Sequence, residues 1–160
     1  MSTVYFGLGT NIGNRIVNLN LAIEGLAEEV MVTAVSPVYE TVAWGVEDQP
    51  DFLNMCVVGE TDLSPDTLLH YVKQLEKRLG RTPSERWGPR IIDIDILFYD
   101  SLVFEGPELT IPHTGVADRA SVLVPLADIA PNLQHPVLLQ RIIELSKIID
   151  RSGVRSFSSA

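Results

Sequence analysis

Residues 90–98 read Arg90-Ile91-Ile92-Asp93-Ile94-Asp95-Ile96-Leu97-Phe98. β-Branched and aromatic residues at this density predict a strand over 91–99. Side chains alternate along a strand, so Asp93 and Asp95 share one face with Cα atoms about 6.5–7 Å apart. Ile92, Ile94, Ile96 and Phe98 are then expected on the other face. Two carboxylates side by side in so apolar a strand repel each other and are costly to desolvate. A hard divalent cation with oxygen ligands relieves both costs, and magnesium commonly bridges carboxylates to phosphates. Two such ions about 4 Å apart suit phosphoryl transfer. A solvated edge of an antiparallel sheet accommodates the same acids, and the spacing alone leaves both readings open.

The segment just upstream favours the metal. Gly80-Arg81-Thr82-Pro83-Ser84-Glu85-Arg86-Trp87-Gly88-Pro89-Arg90 carries three arginines and a tryptophan in what its prolines and glycines mark as a loop. Guanidinium forks match phosphate oxygens in bidentate geometry, so the loop reads as a lid over a polyphosphate. Trp87 either stacks on a flat ligand or anchors the loop to the core, and for an isolated tryptophan the core role is favoured.

Further out, alternation predicts a strand over 3–8, and apolar spacing a helix over 14–30 with Asn14 as cap. A strand over 31–41 is broken by Pro37, a loop spans 42–50, and a strand covers 52–61. Ser64-Pro65-Asp66 opens a helix that runs to Leu79 and stops at Gly80. After the 91–99 strand come a short hairpin within 102–111, then helices over 121–129 and 138–150. The tail after Ser152 shows no pattern and is expected to fray. Strand, helix, strand, strand, helix, strand is the split βαβ plan of an α+β, ferredoxin-like sandwich, with helices packed on an antiparallel sheet and C-terminal helical additions. The 160 residues are expected to form one domain.

The net charge is −9, with 12 basic and 21 acidic residues. Half of the bases (Lys73, Lys77, Arg78, Arg81, Arg86 and Arg90) fall within residues 73–90. Such a surface argues against nucleic acid as a partner and for a small polyanion held at one place; a solvated helix face is the alternative. No stretch approaches the ~20 apolar residues of a membrane span. One cysteine, Cys56, excludes a disulfide framework and a multi-thiolate zinc site, and its position among apolar residues makes it a core thiol. The start lacks the pattern of a signal peptide, so a cytoplasmic location is expected. Gly7-Leu8-Gly9-Thr10-Asn11-Ile12-Gly13 lacks the lysine and hydroxyl of a P-loop and reads as a tight turn with no ligand. His113 and Arg119 together suit a phosphate, whereas His70 and His135 have no role assigned.

Taken together, Leu8-Gly9-Thr10-Asn11, Gly13-Asn14-Arg15, Tyr39-Glu40-Thr41, Asp48 to Asn54, Leu79-Gly80-Arg81, Arg86 to Arg90, Ile92 to Leu97, Ile111-Pro112-His113 and Pro125-Leu126 resemble the 6-hydroxymethyl-7,8-dihydropterin pyrophosphokinases of folate biosynthesis. The resemblance covers nearly the whole chain. It implies transfer of pyrophosphate from Mg-ATP to the hydroxymethyl oxygen of the reduced pterin, with release of AMP. It implies that Asp93 and Asp95 hold two magnesium ions and that Arg81 and Arg90 steady the phosphates. Lys73, Glu76, Trp87, Arg90, Ile96, Thr110, His113 and Arg119 are the implied ATP contacts. Thr41, Val42, Trp44, Phe52, Asn54 and Asp95 are the implied pterin contacts, Asp95 being placed to assist deprotonation. The implied partners are these two small molecules, acted on by a monomer.

Four positions depart from the pattern. Lys73 stands where some members have glutamine, and residues 82–85 lack basic residues that some members carry. Ser121 replaces a phenylalanine often stacked on the pterin, and Thr114 a tyrosine. A ligand-binding module without chemistry, or a two-metal nucleotidyl transferase, are the rival readings of the same residues.

Overall fold

In the computed structural model, residues 1–42, 49–81 and 90–158 are described, so Trp44 and Trp87 lie outside the described residues. Residues Ser2–Thr10 form β1, whose centre buries Val4, Phe6 and Leu8. The chain then turns into α1 (Arg15–Leu26), where the Asn14 side chain accepts from the Val17 N–H at 3.2 Å. This is the expected cap. The predicted 31–41 strand is two strands, β2 (Met31–Val35) and β3 (Tyr39–Thr41), separated at Pro37. Both pair with β4 (Phe52–Thr61). Ser64 caps α2 (Pro65–Arg78), and Gly80 ends it at φ +103°, a conformation that glycine adopts without cost.

β5 (Asp93–Tyr99) pairs antiparallel with β1. The short β6 (Phe104–Glu105) and β7 (Thr110–Ile111) make the expected hairpin. α3 (Ala120–Ile129) and α4 (Ile142–Ile148) follow, the latter shorter than the 138–150 expected. Through residue 158 the tail does not fray. Val154–Ser156 form β8, hydrogen-bonded to β3. A three-residue strand leaves no readable period, and the partner that orders it is distant in sequence.

The sheet runs β5-β1-β4-β3-β8, with β2 also on β4, and every pairing is antiparallel. One face packs Leu19, Ala22 and Leu26 of α1 and Leu68, Val72 and Leu75 of α2 against Phe6, Leu8, Ile94 and Ile96. α3 and α4 cover part of the opposite face through Leu123, Leu126, Ile142 and Leu145. What they leave open is the cleft.

One face assignment needs correction. The β1–β5 register slips between Tyr5 and Phe6, so that Phe6 pairs with Ile96 and Tyr5 with Phe98, and Leu97 is left as a bulge. A bulge reverses which face the following residues meet. Phe98 therefore leaves the Ile92, Ile94 and Ile96 face and packs edge-on against Tyr5 and His135 under α4.

Candidate active site

The cleft is built by register. Asn54 on β4, Gly9 on β1 and Asp93 on β5 lie in one cross-strand row, and Cys56, Gly7 and Asp95 in the next. Thr41 on β3 pairs with Phe52 on β4 at the far end. Two ladder spacings, about 10 Å, separate the Asn54 strand from the aspartates. The middle strand opposes both carboxylates with glycine, so the floor before them is bare backbone. A Cβ built on Gly9 would stand 3.0 Å from Asn54 Oδ1, and one on Gly7 3.4 Å from Leu97. The expected turn at Gly7 and Gly9 is thus an extended strand. Glycines two apart, antiparallel to aspartates two apart, were the signal that sequence reasoning passed over.

These residues line a cavity of about 590 Å³ with Thr41, Val42, Phe52 and Arg90. Its outer wall is Thr114, Arg119, Ser121 and Val122. The volume falls in the range of small-molecule sites. The pterin candidates Thr41, Val42, Phe52 and Asn54 are all on the wall. Asn54 Nδ2 donates to Thr41 Oγ1 at 2.6 Å, which leaves Asn54 Oδ1 facing the Gly9 floor. Cys56 is a buried thiol at the base, and burial pushes its pKa far up, as expected of a core residue.

The charges are graded across the carboxylate end. Arg81 Nη1 donates to Asp93 Oδ1 at 2.9 Å and to Glu76 Oε2 at 2.7 Å. Glu76 is buried, and the same Oε2 accepts the Ile94 N–H at 2.8 Å. Burial raises the Glu76 pKa against these bonds. Among the described residues Asp95 has only the distant His113 as an ion-pair partner. Burial, then repulsion from Asp93 and Glu76, lifts its pKa to about 7, with Arg119 and Lys73 pulling the other way. This is a place short of positive charge.

His113 Nε2 lies 3.8 Å from Asp95 Oδ1. Its Nδ1 accepts the Gly115 N–H at 3.0 Å. Burial, aided by Arg119, lowers the His113 pKa. The Nδ1 bond leaves the neutral ring's proton on Nε2, which presents a donor to the cleft.

Several expected ATP contacts stand outside the cavity wall. Glu76 lies beneath the aspartates as an anchor for Arg81. The Ile96 side chain is in the α2-side core, which leaves only its backbone on the sheet edge. Arg81 is held by its two acids. Lys73 is exposed one turn before Glu76, and Thr110 is half-buried on β7.

Asn11, which the sequence marks only as one residue of a motif, is 1% exposed and bonds Gln49, Pro50 and Arg90 together. Its Oδ1 accepts the Arg90 N–H at 2.8 Å, and its Nδ2 donates to Gln49 Oε1 and Pro50 O, each at 2.9 Å.

A cleft with paired carboxylates, flanking cations and an apolar wall has the donor set of a site that could hold a divalent cation and a phosphate chain beside a flat ligand. The sequence comparisons name the family. Residues 5–131 match the 7,8-dihydro-6-hydroxymethylpterin-pyrophosphokinase (HPPK) model, and the chain belongs to that family. It is 44% identical over 137 residues to the 2-amino-4-hydroxy-6-hydroxymethyldihydropteridine pyrophosphokinase of Aquifex aeolicus, covering 86% of each chain. It is 46% identical over 135 residues to the protein of the same name from Methylorubrum extorquens, covering 83% of this chain and 85% of that one. In fold it is similar to the Plasmodium falciparum HPPK-DHPS structure, with a TM-score of 0.76 at 19% identity over 98% of this chain and 47% of that one.

Proposed function

We propose that the cleft seats the reduced pterin over Thr41, Phe52 and Asn54 and the ATP phosphates over Asp93 and Asp95. The chain transfers pyrophosphate from ATP to 6-hydroxymethyl-7,8-dihydropterin, a step of folate biosynthesis. The hydroxymethyl oxygen forms a bond to the β-phosphorus and the bond from that phosphorus to the α-bridging oxygen breaks. AMP departs with the bridging oxygen, and the hydroxyl proton is lost. Phosphoryl-type transfer of this kind rests on positioning and charge neutralisation more than on a covalent helper.

The observation that carries the reading is the pair of rows. Asn54 and Asp93 flank the Gly9 floor, so the amide that would read a flat donor–acceptor ring and the carboxylate that would hold metal and phosphate stand on strands about 10 Å apart on one surface, close enough for one pair of reactants to bridge them. The carboxylates fit magnesium: their donors are all oxygen, and the raised Asp95 pKa marks a deficit of positive charge. Asp93 and Asp95 would hold two ions, which neutralise the phosphates and polarise the bond that breaks. Arg90, Arg119 and the His113 Nε2–H face the phosphate end. Arg81 fixes Asp93, and Asp95 is the group able to take the hydroxyl proton.

We also read the sheet order as the split βαβ, ferredoxin-like plan, with residues 1–160 as one domain. A single copy supplies every group named here, so a monomer suffices. The one cysteine is reduced and buried, in keeping with a cytoplasmic address.

The test is AMP formation from ATP and magnesium, with and without the pterin. AMP that depends on the pterin is expected. Free pyrophosphate with AMP attached to the product would indicate nucleotidyl transfer, and no turnover from folded protein would indicate a binding module.

A further inference from the structure

The connection spanning 42–51 leaves β3 after Thr41 and enters β4 at Phe52, and both of these residues line the cleft. Its two stems are bridged twice by charge. Arg15 Nη1 donates to Glu40 Oε2 at 2.8 Å and to the Asp51 carbonyl at 3.0 Å. Arg155 Nη2 donates to Glu40 Oε1 at 2.7 Å and to Asp51 Oδ2 at 2.8 Å. Both oxygens of Glu40 are used, and its pKa is lowered, chiefly by Arg15.

The arginines come from opposite ends of the chain, the first residue of α1 and the middle of β8. The Arg15 guanidinium also lies 5.6 Å from the centre of the Phe157 ring. The Phe157 N–H donates to Val38 O at 3.0 Å, and the Val42 N–H to Gly153 O at 3.3 Å. The C-terminal strand is thus fastened along the outgoing stem.

Position relative to the cleft makes this more than a surface ion pair. Glu40 alternates with Thr41, and Asp51 precedes Phe52. Neighbours in extended chain point to opposite sides. Arg15, Glu40 and Asp51 accordingly line a separate recess behind the sheet, while Thr41 and Phe52 line the cleft in front. Whatever fixes the separation of Glu40 and Asp51 fixes the separation of Thr41 and Phe52.

We propose that Arg15 and Arg155 are positioning residues for the pterin half of the site, a two-arginine clamp acting from behind the sheet. The proposal rests on the reading of Thr41, Phe52 and Asn54 as the pterin wall. The Arg155 side chain is 54% exposed, and exposed ion pairs contribute little to global stability. A merely structural pair would therefore leave both stability and kinetics nearly unchanged. A clamp shifts pterin affinity by itself.

The experiment measures pterin binding to the magnesium-free protein and steady-state kinetics for wild type, Arg155→Gln, Arg155→Lys and Glu40→Gln. Arg155→Gln and Glu40→Gln are expected to raise the pterin Kd and KM by about five- to tenfold, since small misplacements are costly. kcat and the ATP KM should stay within about twofold, and Arg155→Lys should recover most of the loss. Wild type is also titrated with potassium chloride. The pterin carries no net charge, so its own contacts are weakly screened, but the exposed Arg155 pairs are screened. The wild-type pterin Kd should rise several-fold between about 0.05 and 1 M salt, and this slope should flatten in Arg155→Gln. The salt arm stands even if a variant fails to fold. Unchanged pterin affinity in folded Arg155→Gln, or a salt-independent wild-type Kd, overturns the clamp alone. No pterin binding by wild type at any salt overturns the assignment of the pterin wall, and the clamp's role with it.

Discussion

Asp93 and Glu76 share a single nitrogen of Arg81, at 2.9 and 2.7 Å, and the two acids come from different elements. The buried Glu76 also receives the Ile94 N–H, so one side chain sets the position of both the arginine and the strand that carries the aspartates. Glu76→Gln leaves the outline intact and can still accept with its amide oxygen, but it removes the negative charge that holds Arg81. We expect a loss of about 2 kcal/mol in urea unfolding at unchanged m. The KM for Mg-ATP should rise, because Asp93 then carries Arg81 alone. A wild-type midpoint would show that Glu76 is not the anchor.

If Asp95 holds magnesium as proposed, its removal changes the response to the ion. Asp95→Asn should reduce turnover by about 100-fold and abolish the rise in Tm that magnesium is expected to give the wild type. Wild-type turnover in this variant would remove Asp95 from both metal binding and proton transfer.

The pH dependence follows from the raised Asp95 pKa. In the metal-free protein the folded state holds a proton up to about pH 7, whereas an ordinary Asp releases it near 3.8. The folded state binds more protons across that window, so this group's contribution to stability declines as pH rises through it. Magnesium competes with that proton. Its stabilisation, read as the Tm difference with and without the ion, should be larger at pH 8 than at pH 6. An equal difference at both would mean that Asp95 is ionised throughout.

The two floor glycines should answer differently. Gly9→Ala brings a Cβ to 3.0 Å from Asn54 Oδ1, so it should raise the pterin KM by about tenfold or more. Gly7→Ala meets only the Leu97 side chain at 3.4 Å and should be mild. Equal effects in a paired kinetic comparison would show that Asn54 is not read by the ligand.

Between α1 and α2 the backbone approach is closer. A Cβ on Gly25 would sit 2.3 Å from Leu75 Cδ1. Gly25→Ala gains about 1 kcal/mol of helix propensity and loses about 1–3 kcal/mol to overpacking. A net lower Tm is expected in thermal melts, and a higher one would mean that Leu75 rotates away freely.

Much of this architecture was readable because its signals are local. Asn14, Ser64-Pro65 and Gly80 mark helix ends by chemistry that acts within four residues, and Asp93 and Asp95 share a face by the strand period alone. What escaped depends on partners far away. The bulge at Leu97 moved Phe98 to the other face, since period counting assumes an unbroken ladder. β8 is three residues long and is ordered by β3. Glu76 belongs to a helix by its spacing, and only the fold brings it under Ile94. Gly7 and Gly9 acquire meaning only opposite Asp95 and Asp93.

β5 lies at the margin of the sheet, where an exposed ladder invites pairing with another chain. Two of its outward groups are already taken: the Ile94 N–H by Glu76, and Leu97 O by the His113 N–H at 2.9 Å. The contacts that hold Glu76 and the His113 turn in place therefore also blunt the edge. Substitutions that loosen Glu76 or the His113 turn should lower the concentration at which this enzyme aggregates, quite apart from what they do to turnover.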